Sequence, residues 1–495
     1  MRKIGTITKY YPFIDEETKN TLDSIQNEAH NYNDFVIQLS KELSRTDAPE
    51  ALAHIGVLLS YNAQITEANY RIGEKYGNLL CVKPWIIKLD AKNEREAIDN
   101  LISSNPPSFI LFQAYLHKTG ILYLVPYAFD SLQAAKDILD ANPEMNCFIP
   151  EFLMHKIMLL RYEGDAEKVY QLGMDALEKA KECDDVISEI DVLTQQTEFL
   201  MNTDVQRAFS YTQSAYTLAK ELGTPYLVAA AVMGFGMLST IIGEYDLALH
   251  AYTESVETLQ ALNAPMYHIP IRISQIYSDL EDGRSALEWA KQSLEIEETK
   301  QPQGGLEDHL CPHIAMARAL IVTGLLEEAS EYVYKSREIA LRSGQEMLLS
   351  DYYYVQGIYD LNSGDISGGI DTLARGLEIC DRTSRGQRLK NRFLLALTKA
   401  EVDSFDFLGR TSYDPDDSGP WMTLLEQECR QKGLHGLKMQ HALLKAEFQK
   451  KLGLCNVAME TLEDALNSFD SPGVVTLRGK IHEKIRALRE TPLSP

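Results

Sequence analysis

A small or compact residue returns along this chain at a nearly fixed interval. Val169, Ala208, Ala248, Ala286, Ala329 and Gly369 stand 39, 40, 38, 43 and 40 residues apart. Ala458 follows after a gap with room for one further unit. Apolar residues fall at helical spacing around each of them, and turn signals such as Gly164-Asp165, Gly243-Glu244 and Gly453 punctuate the text. Self-similarity at roughly 20–50 residues marks a repeat array, in which each unit is one supersecondary element completed by its neighbours. A chain of 495 residues then needs no string of separate globular domains.

The run from Gly223 to Gly243 carries no charged residue. A membrane-spanning helix needs about 20 apolar residues, so length alone would permit a span. Gly234 and Gly236 in its middle, with Ser239 and Thr240, weaken that reading. As the inner helix of a repeat, covered on both sides by adjacent units, the same run needs no lipid. Gly243 stands where a C-cap glycine ends a helix. The expectation is therefore a chain without a membrane span.

Over Gly223–Asn263 the pattern is helix–turn–helix, with small residues at Gly236, Ala248 and Ser255 and a large one at Tyr252. In this the chain resembles the tetratricopeptide repeat (TPR), although Ser239 is smaller than the tyrosine usual at its position. The intervals exceed the standard repeat of about 34 residues. The extra residues fall between one unit's second helix and the next unit's first, at Lys220–Pro225, Ala261–Pro265 and Leu341–Gly344. Such long repeats are similar to those of kinesin light chains, Rap-type peptide receptors and the sensor arms of signalling ATPases. The resemblance covers about residues 151–380 and again 436–470. It implies an all-α fold, a right-handed α-solenoid of antiparallel helix pairs forming a TPR-like superhelix. It also implies an array used to hold a peptide or a protein, although a solenoid alone does not fix the task.

Outside the repeats, residues 1–92 read as an N-terminal helical cap region. A short extended arm is expected over 1–14, one helix from about Asp15 to Leu43, a second from about Asp47 to Lys75, and a break at Cys81–Ile86. The solenoid spans 93–470, with a loop insertion at about 403–419. Residues 471–495 hold a capping helix, about Val474–Arg489, and a tail.

Lysine and arginine number 48 against 72 acidic residues, a formal charge of −24. Such a surface repels phosphate and argues against nucleic-acid binding. The seven cysteines are widely spaced and include no CxxC, so neither a zinc site nor a disulfide framework is expected. The segment Met1–Ile7 lacks the apolar core of a signal peptide. A cytoplasmic protein with reduced thiols follows as the expectation.

Motifs that carry chemistry are scarce. No G-x-x-x-x-G-K-[ST] occurs. His309-Leu310-Cys311-Pro312-His313 gathers three ligand types suited to zinc, but a fourth is lacking and Pro312 suits the start of a helix. Asp414–Gly419 begins like a calcium loop, yet Leu425 stands where the bidentate glutamate belongs. Asp184-Asp185 resembles the start of the DDxxD of terpene cyclases, with Ser188 in place of the last aspartate, and reads better as the turn opening a repeat. No catalytic residue, metal or cofactor is expected.

In the family resembled, the first helix of each pair lines the concave surface, and its fifth and ninth positions meet the ligand. Here these are Met154/Met158, Leu193/Thr197, Met233/Met237, Ile271/Gln275, Ile314/Arg318, Tyr354/Ile358 and Leu443/Glu447. None is lysine or asparagine, which disfavours the carboxylate clamp of chaperone-tail receptors. The candidate groove comprises Met233, Met237, Gln275, Arg318, Tyr354 and Ile358. Tyr354 is its anchor, and Arg318 orients a segment through a carboxylate or carbonyl. An alternative dock for an acidic segment or phosphate is the basic helix face of Arg385, Arg388 and Arg392; its bland counterpart is internal pairing with Glu378 or Asp381. The leading expectation is a non-enzymatic scaffold or adaptor for a protein or peptide. A sensor arm that binds a small ligand and acts through a partner is the alternative. An all-helical enzyme would need converging acids or a metal constellation.

Overall fold

The recurring residues sit where helices touch. Val169, Ala208, Ala248, Ala286, Ala329, Gly369 and Ala458 are all buried, because a bulkier side chain there would hold the paired helices apart. The computed structural model describes residues 5–45, 50–63, 91–121, 127–160, 166–201, 204–262, 268–299, 306–382, 387–404, 419–430 and 434–490. Among them there is no β-strand, and most helices adjacent in the chain pack as neighbours. The fold is all-α, a TPR-like succession of helix pairs.

The helices of ten or more residues are numbered here in chain order. The N-terminal set is α1 Glu16–Glu28, α2 Tyr32–Arg45, α3 Glu50–Ala63, α4 Ala91–Ser103, α5 Ser108–Ile121 and α6 Tyr127–Ala141. Then come α7 Ile149–Leu160, α8 Ala166–Glu182, α9 Val186–Leu200, α10 Val205–Leu222, α11 Pro225–Ile242 and α12 Tyr245–Ala261. The series continues with α13 Ile269–Asp279, α14 Gly283–Thr299, α15 Leu306–Val322, α16 Leu326–Ser343, α17 Glu346–Asn362 and α18 Ile366–Arg382. It ends with α19 Gln387–Asp403, α20 Pro420–Cys429, α21 His435–Lys451, α22 Cys455–Ser468 and α23 Val475–Glu490. The chain forms two compact units. One comprises Met1–Gly234, Glu254–Met266 and Gln301–Gln303, the other Phe235–Thr253, Tyr267–Lys300 and Gly304–Pro495.

In the first unit the expected single helix from Asp15 to Leu43 is two. The chain turns extended at Ala29. Asn31 Oδ1 then accepts from the Asp34 amide at 2.9 Å while Asp34 Oδ2 accepts from the His30 amide at 2.9 Å. This reciprocal cap starts a new helix. The arm is not extended either: a helical turn at Gly5–Thr8 leads to a 3-10 turn at Tyr11–Phe13. Ile7 and Tyr10 are buried, and Tyr10 meets Phe109 and Phe148 edge-on at 6.1 and 5.5 Å. Lys9 is buried with them. Its Nζ lies 2.5 Å from Glu151 Oε1 and 2.8 Å from Asp185 Oδ2. Asp185 also caps α9 through the Ser188 amide, and Asp184 before it takes a left-handed turn at φ 51. The Asp-Asp pair thus opens a repeat.

The cysteine expectation is corrected. Cys147 and Cys183 are joined in a disulfide with Cα atoms 5.5 Å apart, inside the usual bridging range of about 4.4–6.8 Å. The partners stand 36 residues apart in sequence, one before α7 and one just past α8, so no local spacing betrays them. The cysteines therefore no longer argue for a reducing compartment. Reducing this bridge, or replacing Cys147 with serine, should cost about 4 kcal/mol through the entropy of the closed loop. Melting with and without reductant checks this, and identical curves would count against it.

Helix α11, the uncharged run, is long and apolar enough by composition to cross a membrane, with a mean hydropathy of 1.8. Only Pro225 within it is exposed, and every other residue is buried or half-buried in protein. Helix α15 begins at Leu306 and carries Pro312 in its interior, so the His309–His313 segment lies within a helix instead of a loop leading into one.

The second unit closes on itself. Gly243 and Gly436 pack backbone to backbone, and a Cβ on Gly436 would fall 1.9 Å from the Gly243 carbonyl oxygen. Around this contact Glu244 accepts from Ser471 Oγ at 2.9 Å and pairs with His435 at 3.3 Å. Asp246 accepts from the Thr476 amide at 3.0 Å. Lys480 Nζ donates to the Leu280 carbonyl at 2.7 Å. The last helices of this unit thereby meet its first.

Candidate functional site

Every second helix of the second unit turns one face to a common cavity of about 810 Å³. The walls are α13, α15, α17, α19 and α21, the first member of each successive pair, and the final helix α23. Their apolar contribution includes Ile358, Leu395, Leu443, Leu444 and Leu477. The volume lies in the range of about 300–1,000 Å³ that holds a small molecule or a short peptide.

A charged cluster is set into this wall. Asp279, in the last turn of α13, accepts from Arg318 Nη2 at 2.5 Å through one oxygen. Through the other it accepts from Arg392 Nε and Nη2 at 3.1 and 2.9 Å. Arg392 Nη1 donates to Gln275 Oε1 at 3.2 Å. The Arg318 guanidinium lies 5.1 Å over the Tyr354 ring, a cation–π contact, and Tyr354 meets Phe393 edge-on at 5.3 Å. Burial works against the charged form of Arg392, but Asp279 beside it more than offsets this and raises its pKa. Nearer the rim, Lys399 and Lys480 share Glu281 at 2.9 and 3.4 Å, and Lys484 pairs with Glu447. Burial pushes the Glu281 carboxyl up, yet its hydrogen bond to Lys399 and the charges of both lysines bring it below its ordinary value.

Of the residues expected in a groove, Arg318, Tyr354 and Ile358 line this cavity, as do Leu443 and Glu447 from the same count. Gln275 stands behind Arg392 as its acceptor. Met237 is half-buried and does not line the cavity, and Met233 belongs to the first unit. Arg385 and the side chain of Arg388 lie outside the described residues. Arg392 joins Arg318 on Asp279 and so belongs to the cavity, not to a separate basic face. The nearby Lys390 takes Asp381 at 3.2 Å and Glu428 at 2.8 Å.

The other sequence candidates stay apart from this cluster. His309 and His313 face one carboxylate, Glu297, at 2.9 and 3.8 Å. No group of three or more metal-ligating side chains occurs among the described residues. The calcium-like stretch 414–418 lies outside them.

No protein-family model matches the chain, and no curated protein matches it. Among solved structures it is similar to the crystal structure of a Rap protein complexed with competence and sporulation factor. The two are 12% identical, the match covers 69% of this chain and 98% of that one, and the TM-score is 0.46. That likeness is too slight to transfer a function, and the cavity is read from its own residues.

Proposed function

We propose that this chain is a non-catalytic interaction scaffold that holds a short protein or peptide segment against the inner helices of its second unit. The observation that supports this most is the shared cavity, in which six helices place apolar walls beside a fixed polar cluster. Ligand sites combine these two features, area for affinity and a few oriented polar groups for specificity. Asp279, Glu281 and Glu447 are each tied to a cation, which leaves them poorly suited to trade protons as a general acid and base. The acid excess of the chain turns nucleic acid away, so the partner is a protein or peptide, and a membrane has no part in this reading.

From a library of random heptapeptides, the full chain should select segments that bind this cavity. Ile358→Glu, which sets a charge into the apolar wall, should weaken the selected segments at least about thirtyfold. Tyr334→Glu, on an exposed position of α16, should leave them unchanged. Equal binding by the wild-type chain and Ile358→Glu would remove the cavity from the account.

A further inference from the structure

The arginine pair carries a charge that the chain does not cancel. Arg318 and Arg392 share the single carboxylate of Asp279, so the cluster keeps one net positive charge. The side chains involved are only 4%, 14% and 8% exposed. Arg318 Nε is buried without a hydrogen-bond partner, although a guanidinium offers five donors in a fork. A buried donor left unmade and a buried charge left uncompensated are both unfavourable, and an arriving anion relieves both. The rim repeats the arrangement, with Lys399 and Lys480 sharing Glu281. Five cationic side chains against four carboxylates line the cavity in a chain whose net charge is −24.

We infer that the cavity recognises its segment through a carboxylate that docks on Arg318 and Arg392, with apolar residues beside it on Ile358, Leu395, Leu443 and Leu477. This rests on the groove reading above and adds the chemistry of the ligand. Guanidinium forks suit a carboxylate in both geometry and charge. Asp279 itself shows how the two arginines grip one. The apolar wall adjoining them selects a carboxylate borne on an apolar body over a free, strongly hydrated acid. A C-terminal carboxylate and an acidic side chain supply the same group.

Three fluorescein-labelled pools of random apolar pentapeptides test this with the full chain by anisotropy. The first carries a free C-terminal acid, the second an amide, the third an amide and one internal glutamate. The free-acid or the glutamate pool should bind about tenfold or more tighter than the plain amide, and whichever does so identifies the source of the carboxylate. Arg318→Met should abolish that advantage with the helical signal intact. Arg318→Lys keeps the charge without the fork and should lose most of it. Asp279→Asn removes the chain's own competing charge, keeps an oxygen for the arginines, and should tighten acid binding without tightening amide binding. A merely structural cluster gives no such gain. Acid and amide pools bound equally would overturn the carboxylate assignment and leave the groove standing. No pool bound at all would overturn the groove reading, and this inference with it.

Discussion

Lys9→Met should destabilise the first unit by about 3–5 kcal/mol, because it strands two carboxylates that one buried ammonium now balances. Lys9 and Asp185 are almost wholly buried, and Glu151 is largely so. Glu151 also accepts from Gln113 Nε2, which cannot replace a positive charge. Burial pushes the Asp185 carboxyl up, but the Lys9 charge and hydrogen bonds outweigh it, and the pKa ends below the ordinary value. A depressed carboxylate contributes stability above its unfolded pKa and loses it as pH falls through the folded value. The wild-type contribution therefore disappears only in strong acid. In Lys9→Met the Ser188 hydrogen bonds to Asp185 remain, but the charge that offsets burial is gone, so the carboxyl pKa rises and protonation neutralises the stranded charge. The variant should gain stability as pH falls from about 7 to about 5, a range over which the wild-type pair's contribution stays constant. Urea midpoints at the two pH values decide this. A loss under about 1 kcal/mol, or one that does not depend on pH, would mean that the ion pair is not what fixes the arm.

Ala248→Arg should cost about 4 kcal/mol or more, enough to unfold most of the second unit at ordinary temperature. Ala248 is completely buried on α12. The spacing of α11 and α12 is already at its limit, since a Cβ on Gly236 would sit 2.9 Å from the Tyr252 ring. An arginine there has neither volume nor counter-ion. Ala248→Gly, which only removes a methyl group in mid-helix, should cost about 1 kcal/mol. A thermal melt of Ala248→Arg matching that of Ala248→Gly would show that the helix pair does not close at this position.

The array was legible because close helix packing forces small residues to recur, and recurrence survives in sequence even when individual positions drift. The capping helix was placed to within a residue at each end, Val475–Glu490. Part of the cavity could be counted from the same register, namely Arg318, Tyr354, Ile358, Leu443 and Glu447. Asp279 escaped because it lies one turn beyond Gln275 on the same face, past the two positions counted. Arg392 escaped because α19 was recognised as a helix but not numbered as a repeat. The same four-residue step there gives Arg392 and Ala396, both of which line the cavity. Lys480 and Lys484 come from a helix read only as a cap. The disulfide and the Lys9 cluster were out of reach for a different reason. Their partners lie 36, 142 and 176 residues apart, and juxtaposition over such distances is a property of the folded chain, with no local pattern to announce it.

The closure at Gly243 and Gly436 has a consequence for how the second unit assembles. An open array gains stability one neighbour at a time, and its terminal repeat can fray without disturbing the rest. Here the bonds from Glu244, Asp246 and Leu280 to the last helices span 191 to 230 residues of chain. Such contacts cannot form until the intervening pairs have stacked and brought the two ends together, so they come late and bear the full cost of loop closure. Once made, they couple the last helix to the first. Losing α23 is then felt at Asp246 and Leu280, and the unit comes apart as a block instead of unravelling from its end.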